Sequence, residues 1–174
     1  MPTVAEYLAT VDAYLAARKQ AIGIDAAQLW REGRAVGEDE LVIKFPIEVA
    51  GEQALTNSLV LSAFPDADDL KFSISLVCHW AVYRLDYELG RAHANNNRPH
   101  GLDIPAMVIG PHYHPWLQNR STIHDVSTPI KLSVALPLDV HIRQFDQAFR
   151  WFCQQTNIEL RDHEIELPPR QRLL

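Results

Sequence analysis

The chain has 174 residues, of which 47% are hydrophobic and 22% are charged, and its formal net charge at neutral pH is -6. This length suits a single domain with a substantial core. The negative net charge argues against broad electrostatic capture of nucleic acid, because such binding depends on Lys and Arg neutralising phosphates. A small basic cleft is still compatible with it.

Two further features concern the compartment. Cys78 and Cys153 lie in apolar segments and have no C-x-x-C partner, which predicts buried thiols in a reducing compartment rather than a disulfide. The N-terminal segment has no basic region followed by an apolar run, so it does not predict a signal peptide. No window reaches 18 consecutive apolar residues, so no membrane contact is expected. We therefore expect a cytoplasmic protein.

Residues 1–36 predict an N-terminal helical hairpin. Thr3 can cap the first helix, with Glu6 as its reciprocal capping-box partner. Apolar residues follow at helical spacing until a break at Gly23. A shorter second helix is expected over residues 25–33.

Strand patterns dominate residues 40–137. They cover residues 40–49, 55–64, 70–78, 79–89, 106–114 and 130–138. Pro46 removes a ladder donor from the first of these strands, so an edge or a bend is expected there. Residues 91–105 are rich in Asn, Pro and Gly, and they predict a loop.

Residues 138–157 predict a C-terminal helix that begins after Asp139 and ends at Asn157, followed by an extended tail over residues 158–174. The apolar stripe of this helix, which should pack on the sheet, consists of Ile142, Phe145, Phe149 and Phe152. Helices on both sides of a strand-rich middle predict a single domain, residues 1–174. Its expected class is α+β, with a mostly antiparallel sheet packed by N-terminal helices and a C-terminal helix.

One segment, GPHYHPW, stands out chemically because His112 and His114 are two residues apart. The chain has eight histidines, so chance alone supplies about a third of one such pair, and the pair is a weak motif by itself. On a strand, residues i and i+2 face the same way, so both imidazoles can project into one cleft. His93 and Asn95 have the same spacing. If the two segments are antiparallel neighbours joined by the loop 96–105, all four side chains share one face.

Three interpretations of these histidines stay open. His93, His112 and His114 can hold zinc or another divalent metal, with a fourth position left for water. Alternatively, two imidazoles can cleave RNA without metal: one takes the proton of the 2′-hydroxyl and the other protonates the leaving oxygen. An Arg or Asn would then stabilise the charge on phosphorus. In the third interpretation the imidazoles bind backbone carbonyls around a proline-bent strand end and have only a structural role.

The same residues resemble a family of small uncharacterised bacterial and prophage-associated proteins, classed as a domain of unknown function. The matching elements are Arg84-Leu85-Asp86, His93 and Asn95, Gly110, His112 and His114, and Phe152, Cys153, Asn157 and Ile158. The resemblance covers roughly residues 40–160. Asn96 stands where the family usually has proline, and the loop before His-x-His is longer. More distantly, the plan resembles TumE-type toxins of toxin–antitoxin systems, which implies a toxin-like, ribonuclease-like activity.

These observations predict a mobile-element-associated protein with a His-lined cleft that cleaves RNA phosphodiester bonds. The expected catalytic residues are His93, His112 and His114, and the expected substrate-binding residues are Arg84, Asn95 and Tyr113. As an enzyme it would be a ribonuclease-like hydrolase or a phosphodiester transferase. The alternatives are a divalent-metal-binding protein that uses the three histidines and a non-enzymatic anti-defence or regulatory factor. The expected partners are RNA or a cognate protein such as an antitoxin or a defence component, and the oligomeric state is open.

Overall fold

The computed structural model describes residues 2–23, 30–33 and 39–160. The helices are α1 (Val4–Ala16), α2 (Trp116–Asn119) and α3 (Phe145–Gln155). The strands are β1 (Lys19–Ala21), β2 (Arg31–Glu32), β3 (Leu41–Val49), β4 (Glu52–Ala63), β5 (Phe72–Cys78), β6 (Trp80–Tyr87), β7 (Ala92–Ala94), β8 (Met107–Ile109), β9 (His112–His114), β10 (Leu136–Pro137) and β11 (Ile158–Glu159). None of the helices in these ranges has the length and apolar character needed to cross a membrane.

Most strands belong to one sheet with the order β10-β9-β6-β5-β4-β3-β1-β11, and β2 also pairs with β3. Strands β7 and β8 form a separate two-stranded sheet. The pairing of β1 with β11 is parallel, and the other described pairings are antiparallel. The predicted α+β class with a mostly antiparallel sheet is confirmed.

The large sheet has one apolar and one polar face, because side chains alternate along each strand and cross-strand partners share a face. On the apolar face, α3 packs through Phe152, whose ring meets that of Tyr83 edge-on at 5.5 Å between centroids. Helix α1 packs on the same face, where the Tyr7 hydroxyl donates to the Cys78 carbonyl. The opposite face carries Lys44, Ser62, Ser73, Ser75, Arg84, Asp86, His112 and His114. Both thiols are buried and free, as predicted.

The predicted helical hairpin is wrong in its described part. Helix α1 begins with the expected Thr3 and Glu6 capping box but ends at Ala16, well before Gly23. Strand β1 follows, because its backbone pairs with both β3 and β11, and these long-range hydrogen bonds override the helical spacing of the apolar residues. Lys19 is fully buried at this junction, and its ammonium donates to the carbonyls of Leu15 and Ala17 at the end of the helix.

The second predicted helix, residues 25–33, lies mainly outside the described residues. Its described part includes β2, which pairs with β3 rather than continuing a helix. The predicted strand with Pro46 is present as β3, and its register shifts between Pro46 and Glu48, which matches the expected bend.

The start of the C-terminal helix also differs from the prediction. Helix α3 begins at Phe145 rather than after Asp139, because Gln144 and Gln147 form its capping box. The Asp139 carboxylate instead accepts from the backbone N–H of His141 in a turn. Asn157 ends this helical region with a positive φ of 54°, as expected for a stop residue. Of the tail, β11 is described and residues 161–174 lie outside the described ranges.

The segments around the His-x-His pair are also less regular than predicted. The single strand expected over residues 106–114 is divided into β8 and β9 at Gly110, whose φ is 84°. The strand expected over residues 130–138 pairs only as β10, and residues 130–135 have no ladder partner. The expected loop 91–105 contains β7.

We expect Phe152→Ala to reduce the free energy of unfolding by about 3–5 kcal/mol, because it opens a cavity between α3 and the sheet. Urea denaturation measures this change. Leu55→Ala is the control, since Leu55 is 97% exposed and its truncation should change stability by less than about 0.5 kcal/mol. Equal effects of the two substitutions would contradict the packing described here.

Candidate metal centre

The core of the site lies on the polar face, where β9 pairs with β6. In this pairing His112 lies opposite Asp86, and His114 lies opposite Arg84. Cross-strand partners share a face, so the two imidazoles, the carboxylate and the guanidinium project to the same side. Both imidazoles are buried, with residue exposures of 2% for His112 and 4% for His114. The same-face arrangement predicted from the His-x-His spacing is therefore present.

The third imidazole reaches the site from the other sheet. His93 lies on β7, which pairs with β8, so its neighbour is the segment just before the His-x-His pair and not that pair itself. The His93 ring is 5.3 Å from that of His112 and 4.8 Å from that of His114, measured between centroids. Each of the three histidines has one ring nitrogen that lies within 4.8 Å of a ring nitrogen of both other histidines. The small sheet thus covers the polar face and adds His93 to the cluster.

A backbone carbonyl holds each imidazole in place. Nδ1 of His112 is 2.8 Å from the Gly110 carbonyl oxygen, and Nδ1 of His114 is 3.2 Å from that of Val134. Nε2 of His93 is 3.1 Å from the Ser133 carbonyl oxygen. These contacts are the ones expected from the structural interpretation of the histidines. They do not prevent the rings from converging, because each uses only one of the two ring nitrogens.

Two buried asparagines hold the backbone of residues 133–135, which supplies two of these carbonyls. The Asn119 side chain accepts from the Val134 N–H and donates to the Val134 carbonyl, at 2.8 Å each. The Asn95 side chain makes the same pair of contacts with Ala135, at 2.7 and 2.8 Å. Each amide thus replaces the ladder partner that this extended segment lacks, so its carbonyls have defined positions.

These contacts determine where the ring protons lie. A carbonyl oxygen can only accept, so the ring nitrogen that faces it must carry the hydrogen. In a neutral imidazole the other nitrogen then has a free lone pair. The lone pairs are those of Nε2 in His112, Nε2 in His114 and Nδ1 in His93, and each lies on the ring edge away from its carbonyl.

Asp86 brings a carboxylate against two of these lone pairs. Its Oδ2 is 3.3 Å from Nε2 of His114 and 3.7 Å from Nε2 of His112. Its other oxygen, Oδ1, accepts from Arg84 at 2.7 and 2.8 Å, which fixes the orientation of the carboxylate. If both rings are neutral, each of these contacts places the carboxylate oxygen against a nitrogen lone pair, so that two hydrogen-bond acceptors face each other. The arrangement therefore calls for a positive charge between them, either a proton or a metal ion.

Burial has opposite effects on the pKa values of Asp86 and His112. Burial raises the pKa of Asp86, but its contacts with His114 and with the Arg84 guanidinium outweigh burial, so the pKa is lowered. Burial lowers the pKa of His112, although the Gly110 carbonyl and Asp86 act in the opposite direction. His112 is therefore neutral near pH 7, which is the form that binds metals.

The structure places the other predicted site residues differently. Arg84 lies beside the cluster and binds Asp86. The Asn95 side chain is fully buried and occupied by Ala135 and the Pro105 carbonyl, so it positions backbone instead of facing a ligand. Tyr113 lies on the apolar face, where its ring contacts those of Tyr83 and Trp151. Its predicted substrate-binding role has no support in this placement.

Sequence reasoning did not assign Asp86 or Asn119 to the site. Asp86 has one usable indication, namely that it lies two residues from Arg84 on a strand and so shares its face. Nothing near Asn119 in the sequence indicates its contact with Val134.

No protein-family model, curated protein or solved structure matches the chain. The resemblance to the prophage-associated family and to TumE-type toxins therefore stays a prediction. The same holds for the toxin-like activity that it implies, and the alternative anti-defence or regulatory role is likewise a prediction.

We expect Asn119→Ala to lower the free energy of unfolding by about 2–5 kcal/mol, because it leaves the Val134 N–H and the Pro115 carbonyl buried without a partner. Urea denaturation measures the loss. Asn97→Ala is a matched control, since Asn97 is exposed and its truncation should be nearly neutral. If the two variants were equally stable, the backbone of residues 133–135 would not depend on Asn119.

Proposed function

We propose that this protein binds a divalent metal ion through His93, His112 and His114, and that zinc is the ion that fits best. The observation that supports this proposal is the convergence of three imidazoles beside a carboxylate. Neutral imidazoles are preferred ligands of zinc and of other late first-row divalent ions. Each ring also donates its one N–H to a backbone carbonyl, which is the usual way a protein orients a metal-binding histidine.

The spacing of the ring nitrogens is compatible with a shared ion. Tetrahedral coordination with bonds of about 2.0–2.1 Å requires nitrogens about 3.4 Å apart. The ring nitrogens lie within 4.8 Å of one another. Binding of an ion would therefore bring these nitrogens closer together than they lie in the structure.

Three protein ligands leave a fourth position open, which is typical of catalytic rather than structural zinc sites. A zinc ion held by these residues would activate water for hydrolysis. Asp86 would be held beside that ion, since its Oδ2 faces the cluster and Arg84 binds its Oδ1. Arg84 would also stabilise negative charge that develops on a substrate. The proposed activity is therefore metal-assisted hydrolysis.

Metal-free cleavage of RNA by His112 and His114 is the other function expected from the sequence. It requires both rings to reach the ribose and the leaving group, and one of them to be protonated. The burial of both imidazoles and the lowered pKa of His112 favour the metal over this mechanism. RNA cleavage that persists in excess chelator would support the metal-free mechanism instead.

We expect the purified protein to bind one zinc ion, and His112→Ala to weaken that binding by at least about a hundredfold. Loss of a ligand should exceed the 10–100-fold effect typical of an outer-shell partner. Asp86→Asn should weaken binding by about that smaller factor. Competition with a chromophoric chelator measures both affinities.

His141→Ala is the matched control for this experiment, since His141 is exposed and lies outside the cluster. Its zinc affinity should equal that of the wild type. Circular dichroism checks that each variant remains folded. Binding that is equally weak in wild type, His112→Ala and His141→Ala would refute the proposed centre.

The zinc affinity should fall as the pH is lowered through about 6.5, because protons then compete for the imidazole lone pairs. Burial lowers the pKa of His112, so this ligand should be protonated only at a lower pH than an ordinary histidine. Chelator competition between pH 7.5 and 5.5 measures the effect. An affinity that is constant over this interval would indicate carboxylate ligands instead of imidazoles.

A further inference from the structure

A cavity of about 250 Å³ lies on the polar face of the large sheet and is lined in part by Asp86 and Arg84. It therefore adjoins the histidine cluster, because Asp86 contacts His112 and His114 with its other oxygen. The charged residues of its lining are Glu40, Lys71, Arg84, Asp86, Glu88 and Arg91.

The strand register explains why these side chains meet. Ser73 pairs with Asp86, and both face the polar side. Lys71 precedes Ser73 by two residues and Glu88 follows Asp86 by two, so the same alternation brings them to this side. The ammonium of Lys71 lies 3.3 Å from a carboxylate oxygen of Glu88.

The carboxylates of the cavity are shared between cations. Glu88 pairs with both Lys71 and Arg91, at 3.3 Å each. Asp86 is shared between Arg84 and the imidazoles. The lining holds three cations and three carboxylates, so its formal charges sum to zero. A divalent ion bound by the histidines would make the combined site positive by two charges, which favours an anionic ligand.

Two of the three cations, Arg84 and Arg91, remain accessible to such a ligand. The side chain of Arg84 is 43% exposed and that of Arg91 is 56% exposed. Each guanidinium has five N–H donors and uses only some of them on its carboxylate partner. An incoming carboxylate or phosphate can therefore bind the outer donors, in part by replacing Glu88.

We propose that this cavity is the substrate subsite of the metal centre and that it takes a small molecule with a carboxylate or phosphate group. The inference rests on the proposed function. Arg91 binds the anionic group, and the bond to be hydrolysed lies toward the histidines. The cavity volume is below the range of about 300–1,000 Å³ that is usual for drug-sized ligands, which indicates a small substrate.

The test is a calorimetric titration with inorganic phosphate and, separately, succinate, on metal-free and zinc-loaded protein. We expect zinc-loaded wild type to bind at least one of the probes, and metal-free protein to bind it more weakly. The tighter of the two probes identifies the anionic group. Arg91→Gln should weaken binding of that probe by about tenfold, the effect of one charged hydrogen bond, and leave the zinc affinity unchanged.

Arg150→Gln is the matched control, because Arg150 is exposed on α3, which packs on the opposite face of the sheet. It should bind both probes as the wild type does. If zinc binds but neither probe does, or if Arg91→Gln binds the probe as tightly as the control, the subsite is wrong and the metal centre stands. If zinc does not bind, the proposed function is wrong. In that case probe binding to metal-free protein that depends on Arg91 would still establish an anion site.

Discussion

The geometry of the histidine cluster depends on the hydrogen bonds between two buried asparagines and the backbone of residues 133–135. This segment has no strand on the side where a ladder partner would be expected, so its N–H and carbonyl groups would otherwise be buried without partners. Asn95 and Asn119 each contribute one donor and one acceptor that replace the missing strand. The Ser133 and Val134 carbonyls can then receive the imidazoles of His93 and His114. Buried amides thus orient the rings indirectly, through a backbone that they hold.

The two faces of the large sheet have different roles, since one forms the core and the other carries the candidate site. The apolar face provides the core, through its contacts with α1 and α3. The opposite face carries serines and charged residues that a packed core would exclude. This division permits Asp86 to be buried beside Arg84 and the histidines, since its partners compensate for the loss of solvent. The site lies where this polar face is covered by the small sheet of β7 and β8.

The sequence was informative where structure follows from local patterns. Thr3 and Glu6 indicated the start of α1, and the alternation from Phe72 to Cys78 indicated a strand with one buried face. The i, i+2 spacing placed His112 and His114 on one face. Features that depend on distant partners were not predictable. Strand β1 exists because β3 and β11 flank it, although its own residues follow a helical pattern.

Contacts within the site that depend on distant partners were likewise not predictable from the sequence. His93 was correctly placed near the pair, but its strand pairs with β8, the segment before the His-x-His pair, and not with the pair itself. Asn95 follows His93 at the same spacing as His114 follows His112, which predicted a position in the cleft. Its amide instead hydrogen-bonds to the backbone of Ala135. The pairing of β6 with β9 brings Asp86 opposite His112 across more than twenty residues of intervening chain, and no local pattern indicates that contact. Hydrogen-bond partners of buried polar side chains are set by the assembled fold rather than by neighbours in the sequence.

The position of His93 on the small sheet has a kinetic consequence. The other two imidazoles lie on the large sheet, so an ion held by all three would cross-link two separately paired pieces of backbone. Release of the ion would then be gated by movement of the hairpin of β7 and β8, and not only by the exchange of individual ligands. Such an ion would be slow to escape even where each single bond to nitrogen exchanges rapidly. The small sheet that covers the site would thus also supply the third ligand of such an ion.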